Sequence, residues 1–210
     1  MRENQHQISN EAELEAVIGA PMEFVRAKVR PALDQPMKDF IARAPLIFVS
    51  TIDENGHVDV SPKGDPPGFV LSEGETTLLI PERPGNRLTY GFRNILRNGR
   101  IGMIFVVPNQ RETLRVKGFA SLHNAPDMLQ SMQVDGKPAL MYTRVNVTEC
   151  FFHCGKAMIR SHMWRPEHWN ADTRSIGARQ FASSIVGGEG AEALRKTEDL
   201  MEQSYKDELY

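Results

Sequence analysis

The stretch "PLIFVSTIDENGHVDVSPKG", Pro45–Gly64, marks a change of period in the chain. Before it, "EAELEAVIG" and "DQPMKDFIARA" place apolar residues at helical spacing, with prolines between them. From Pro45 the pattern shortens. "PLIFVSTI" is an apolar run rich in β-branched residues, which predicts a strand. Asn55-Gly56 then predicts a type I′ hairpin turn. The return segment alternates, with Val58 and Val60 on one face and Asp59, Ser61 and Lys63 on the other.

Further along, "GFVLSEGETTLLIPE" predicts two strands about a Glu73-Gly74 turn. A helix is expected after Asn86, with Leu88, Phe92, Ile95 and Leu96 forming its apolar stripe. "RIGMIFVVP" reads as a buried strand and "ETLRVKGFASL" as an alternating one. In the latter, Leu114, Val116, Ala120 and Leu122 share one face, and Thr113, Arg115 and Lys117 the other. "APDMLQSMQ" predicts a short helix and "ALMYTRVNVTECFF" a long strand. The tail returns to helix, with a break at Gly187-Gly188.

Six or seven strands joined mostly by hairpins imply an antiparallel sheet, and closure into a barrel would remove its edges. The expected fold class is mainly β with flanking helices (α+β), built on a six-stranded antiparallel split β-barrel. Residues 1–44 form an N-terminal helical extension, 45–164 the barrel, and 165–210 a C-terminal helical extension on the same domain.

The chain has 210 residues, 40% apolar and 25% charged, with a formal net charge of -2. That balance argues against a nucleic-acid or membrane-surface binder, which carries a basic excess. No apolar run spans a bilayer, and the polar N-terminus is unlike a secretory signal. Two cysteines give no disulfide framework, so a cytoplasmic setting is expected. Lys206–Leu209 spell an ER-retention address, but Tyr210 follows, and the match is read as coincidence.

Walker, dinucleotide-binding and His-Glu-x-x-His patterns are absent. Cys150, His153 and Cys154 lie close in sequence, but alternation along a strand would scatter them. Two buried cysteines on a core strand are expected there, and no metal.

The stretch "LLIPERPGNRLTYGFRNIL", Leu78–Leu96, carries the clearest chemical signal. A helix N-terminus offers unpaired N–H groups and partial positive charge, a ready seat for phosphate. Asn86 is a candidate cap, and Gly85 permits a sharp turn. Arg83 and Arg87 would add forked, fully charged donors. Further cations recur at Lys63, Arg115, Lys117, Lys156 and Arg160.

The order of "VDVSPKG", "LLIPERPGNR", a helix, "RIGMIFVVP" and "ETLRVKGFA" resembles the pyridoxamine 5′-phosphate oxidase-like FMN-binding split barrels, over roughly Pro45 to Trp164. The resemblance implies flavin contacts at Val60, Ser61 and Lys63 on the second strand. It implies phosphate contacts at Arg83, Asn86 and Arg87, and ring contacts at Thr113 and Arg115. "HCGKAMIRSHMWRPEHW" resembles one branch of that family, which implies that Lys156, Arg160 and Trp164 reach the flavin across a homodimer interface. The Arg-Leu-His pattern of the vitamin oxidase has no counterpart in "MEQSYKDELY", so a different substrate is expected.

The implied function is FMN-dependent redox chemistry on a small molecule, NAD(P)H being one candidate donor. Two alternatives stay open. One is a flavin store or sensor without turnover. The other is a haem-binding barrel with His123, His153 or His162 as axial donor.

Overall fold

The computed structural model describes residues 6–171, 176–186 and 190–210. Three short helices come first: α1 (Glu11–Ile18), α2 (Glu23–Ala27) and α3 (Gln35–Arg43). Strands β1 (Leu46–Ile52), β2 (Val58–Gly64), β3 (Leu71–Glu73) and β4 (Thr77–Glu82) follow, then α4 (Tyr90–Asn98). After β5 (Arg100–Val106) and β6 (Thr113–His123) come α5 (Pro126–Ser131) and β7 (Met141–His153). The chain continues through α6 (Lys156–Arg160), α7 (Ile176–Phe181) and α8 (Ala191–Asp207). The expected Gly187-Gly188 break lies outside the described residues.

All seven strands join one antiparallel sheet in the order β2-β1-β5-β6-β7-β4-β3. The six-stranded closed barrel expected from sequence is therefore corrected to a seven-stranded open sheet. β4 takes its backbone partners from β7, and β3 covers only Thr77–Leu79 of its other edge. β2 and β4 meet through side chains alone. Lys63 Nζ donates to Glu82 at 2.5 Å, and Arg83 Nε donates to Asp65 at 2.8 Å. Two ion pairs thus stand where a backbone ladder would have closed the sheet.

The main core lies on one side of the sheet. Ile47, Val49, Met103, Phe105, Leu114, Val116, Val145 and Cys150 point into it. Asp34 caps α3, its Oδ1 accepting from the Met37 N–H at 3.1 Å. That helix adds Met37, Phe40 and Ile41 to the same core, so the N-terminal segment shares the sheet's interior. β4 is buried along its whole length. Leu78 and Ile80 face the main core, while Leu79 packs under α5 with Met132, Ala139 and Tyr142. Cover on both faces explains why "TLLIPE" lacks alternation.

β6 and β7 share the longest ladder, and its register shifts between Lys117 and Gly118. Thr148 is the extra residue on β7, since Lys117 pairs with Glu149 and Gly118 with Val147. The bulge swaps side-chain parity. Val145 and Val147 point inward before it, and Cys150 does so after it.

Local turn chemistry departs from expectation in two places. The β1–β2 hairpin is a five-residue connection, not a type I′ turn. Gly56 N–H donates to Asp53 O at 3.2 Å, and Asp53 N–H to His57 O at 2.9 Å. Gly56 alone takes positive φ, at 88°, which fits a type I turn with a following bulge. The helix after β4 also starts later than expected, at Tyr90, because Arg87 and Thr89 adopt φ of 60° and 57°. Asn86 accepts from the Leu88 N–H at 3.0 Å and caps no helix. Ile95 is buried, but Leu88 and Leu96 of the expected stripe are exposed.

Cys150 is buried, and Cys154, just past β7, is exposed; two buried cysteines were expected. Among the described residues, no helix is long and apolar enough to cross a membrane.

Candidate functional site

β2 has an unusual polarity. Its polar face, Asp59, Ser61 and Lys63, is half-buried, while Val58 and Val60 are 65% and 60% exposed. The alternation was legible, but the face turned outward is the apolar one. Register extends that face across the sheet. Pro62 pairs with Phe48, Phe48 with Ile104, Ile104 with Arg115, and Arg115 with Phe151. Phe48 and Ile104 are each 39% exposed. An apolar strip therefore crosses the face turned away from the main core and takes in a guanidinium.

Arg115 stands over the Phe151 ring, its Cζ 5.3 Å from the centroid. Lys117, one step along the same face, pairs with Glu149 at 2.6 Å. Thr113 begins β6 opposite His153 and is buried. Burial, with Arg115 and Lys28 nearby, pushes the His153 imidazole below its ordinary value.

The other sequence-predicted residues fall into three places. Lys63 lies on the core side of the sheet, between the Glu82 carboxylate and the Phe92 ring, 4.6 Å from the ring centroid. Glu82 also accepts from Thr143 Oγ1 at 2.6 Å. Burial pushes the Glu82 carboxyl up, and Lys63 and Thr143 pull it part of the way back. Val60 and Ser61 occupy opposite faces of β2.

Arg83 is held by Asp65 and by the Met132 carbonyl, to which it donates at 2.7 Å. The two side chains are only 12% and 1% exposed. The Tyr210 ring lies 5.7 Å from the guanidinium, and Lys137 Nζ donates to the Tyr210 carbonyl at 2.9 Å. Beside them is a cleft of about 200 Å³ lined by Pro66, Pro81, Met132 and Val134. It is smaller than the roughly 300–1,000 Å³ usual for cofactor pockets.

Asn86 and Arg87 are exposed in the loop before α4, and Arg87 has no acidic partner among the described residues. No side chain caps α4, so its first N–H groups remain available to an anion. A Cβ added at Gly85 would meet nothing within 4 Å, so the approach is open. The Asp59 carboxylate lies 3.4 Å from a Cβ built on Gly91.

Lys156 and Arg160 share the exposed face of α6. Trp164 lies beyond that helix, and its Nε1 donates to the Gln110 carbonyl at 2.7 Å in the β5–β6 turn. This places α6 at the end of the sheet where β6 begins. Sequence reasoning missed Asp65, Glu82 and Lys28 as partners. Each acts across a large sequence separation, and no local pattern announces it.

No curated protein matches the chain. Among solved structures, HupZ of Group A Streptococcus is 22% identical, covering 57% of this chain and 93% of its own, with a TM-score of 0.47. An FMN-binding protein of Syntrophomonas wolfei is 13% identical over 66% of this chain and 95% of its own, at 0.43. An F420 reductase is 18% identical over 55% and 94%, at 0.40. The profile of the pyridoxamine 5′-phosphate oxidase family matches residues 33–154, more than half of the sequence, and the chain belongs to that family.

Proposed function

We propose that the protein binds FMN between two copies of itself and uses it in a redox reaction on a small molecule. One observation carries this reading: the strip Pro62–Phe48–Ile104–Arg115–Phe151 on the sheet face turned away from the main core. An exposed apolar strip is a surface for a partner. One that takes in an arginine suits a flat, apolar ring system bearing negative charge. Family membership supports a flavin as that ring system.

The residues fit the cofactor at both ends. Arg87 and the uncapped N-terminus of α4 would hold the phosphate. Arg115 and Thr113 would flank the ring, and Lys156 and Arg160 would close over it from the second subunit. Arg83 is left to Asp65 in this reading. Bound FMN would supply two-electron transfer, which no side chain here can perform. A cation beside the ring stabilises the charge that reduction places there. Thr113, on the same face as Arg115, would offer a hydroxyl donor, whereas Ser61 faces the other side of β2.

The test begins with the purified protein, expected to be yellow and to release FMN on heating. Arg87→Ala is expected to weaken FMN about tenfold to a hundredfold, the worth of charge-assisted hydrogen bonds. Riboflavin affinity should change little, and equal losses for both ligands would remove the phosphate assignment. Bleaching on anaerobic addition of NADPH or NADH would mark an enzyme. A flavin that no donor reduces would mark a carrier.

Light scattering is expected to give twice the mass of one chain. Val60→Glu would place a carboxylate beside the strip, on the same outward face of β2, where burial against a second subunit without a partner is costly, and is expected to return the mass to that of one chain. A wild-type monomer with flavin bound would contradict the two-subunit arrangement.

A further inference from the structure

A group of cations gathers at the Arg115–Phe151 end of the apolar strip. Lys28 follows α2 and is placed by its neighbour Arg30. The Arg30 backbone donates to and accepts from Cys150, at 2.9 and 2.8 Å, along the part of β7 that β4 leaves uncovered. Lys28 Nζ thereby comes to 5.3 Å from the Phe151 centroid, the same distance as Arg115 Cζ. His153 is two residues along β7, its ring centroid 6.4 Å from that of Phe151.

Three basic groups from three separate segments therefore surround one aromatic ring. Neither Lys28 nor Arg115 has an acidic partner among the described residues. The acid nearest along the same face, Glu149, is taken by Lys117. Cation–π contacts at such a partly exposed site are weak. They do not remove the mutual repulsion of two like charges sharing a ring. An anion between Lys28 and Arg115 would remove it, and Phe151 would support the apolar body of the same molecule.

We infer that Lys28, Arg115 and His153, gathered about Phe151, seat the anionic group of a small organic substrate, a carboxylate or a phosphate. The inference rests on the flavin reading in calling that molecule a substrate, and it shares Arg115 and Phe151 with the flavin's end of the strip. Lys28 is then a specificity residue supplied by the N-terminal segment, and neutral or cationic molecules are poorly held.

The experiment follows the His153 imidazole by NMR in the full chain, with and without added FMN, and assigns its signal with His153→Gln. Inorganic phosphate and acetate are the two probes, titrated against chloride at matched ionic strength. Each is compared in the wild type and in Lys28→Met, which keeps the apolar stem over Phe151.

A saturable rise in the His153 titration midpoint is expected with at least one probe, because a bound anion favours the imidazolium. The probe that saturates at lower concentration identifies the preferred group. Lys28→Met is expected to weaken that binding at least tenfold. No saturable rise with either probe, or the same rise in Lys28→Met, would overturn the inference. So would a loss of FMN affinity in Lys28→Met as large as that in Arg87→Ala, since the cations would then belong to the cofactor's phosphate. A saturable rise in a chain that fails to take up FMN would support the anion seat while removing the flavin reading.

Discussion

Gly118→Ala is expected to destabilise the protein by about 3–5 kcal/mol, a large share of the roughly 5–15 kcal/mol that holds a domain folded. The cause is local and steric. Opposite the Thr148 bulge, β7 crowds against β6, and a Cβ built on Gly118 lies 2.2 Å from the Asn146 carbonyl oxygen. The obstacle is backbone in the middle of the longest ladder, so no side chain can swing aside. Relief would require β6 and β7 to separate where both feed the core. Urea unfolding should show the loss, and the melting temperature should fall by roughly 10 °C for a chain of this size. Gly85→Ala is the control, because its Cβ meets nothing and its φ is ordinary. Equal stability of the two variants would mean that the bulge relaxes without cost, and the register across it would need revision.

Asp65→Ala is expected to cost about as much, roughly 3–5 kcal/mol, by a different route. It strands Arg83, 12% exposed, with the Met132 carbonyl as its remaining hydrogen-bond acceptor. Arg83→Met should also destabilise, by leaving the Asp65 carboxylate, 1% exposed, without its cation. The double variant should recover most of either loss, since neither charge is then left buried without its partner. A double-mutant cycle by urea unfolding measures the coupling. FMN affinity in the double variant is expected to stay within about threefold of wild type, because the reading above gives Arg83 to Asp65. A collapse of FMN binding there would return Arg83 to the phosphate site. Additive losses would show that the pair does not act as a unit.

How much of this was legible in the sequence depends on the distance over which each decision is made. β1, β5, β6 and β7 were readable because β-branched runs and alternation are local. So was the division of β6, with Leu114 and Val116 inward and Arg115 outward. The sheet's closure was not readable. It turns on whether β4 pairs with β2 or with β7, and an apolar strand buried on both faces carries no mark of its neighbour. The start of α4 was missed because Arg87 and Thr89 take positive φ without a glycine to announce it. The sequence also showed that Val58 and Val60 share a face, but not that the face looks outward. An apolar face turned to solvent breaks the usual rule, and such a break tends to mark a site of association. Arg83 was read with Arg87 because they are near in sequence; Asp65, which takes up Arg83, lies eighteen residues away.

The pairing of β4 with β7 also sets a schedule for synthesis. Thr77 leaves the ribosome long before Asn146, its partner, and "LLIP" has only the three-residue β3 as company until then. At typical elongation rates of about 5–20 residues per second, that apolar segment waits several seconds in an unfinished chain. Nascent protein in this window is the form that a holdase chaperone would grip. Slowing translation between β4 and β7 should raise aggregation without changing the stability of the finished fold.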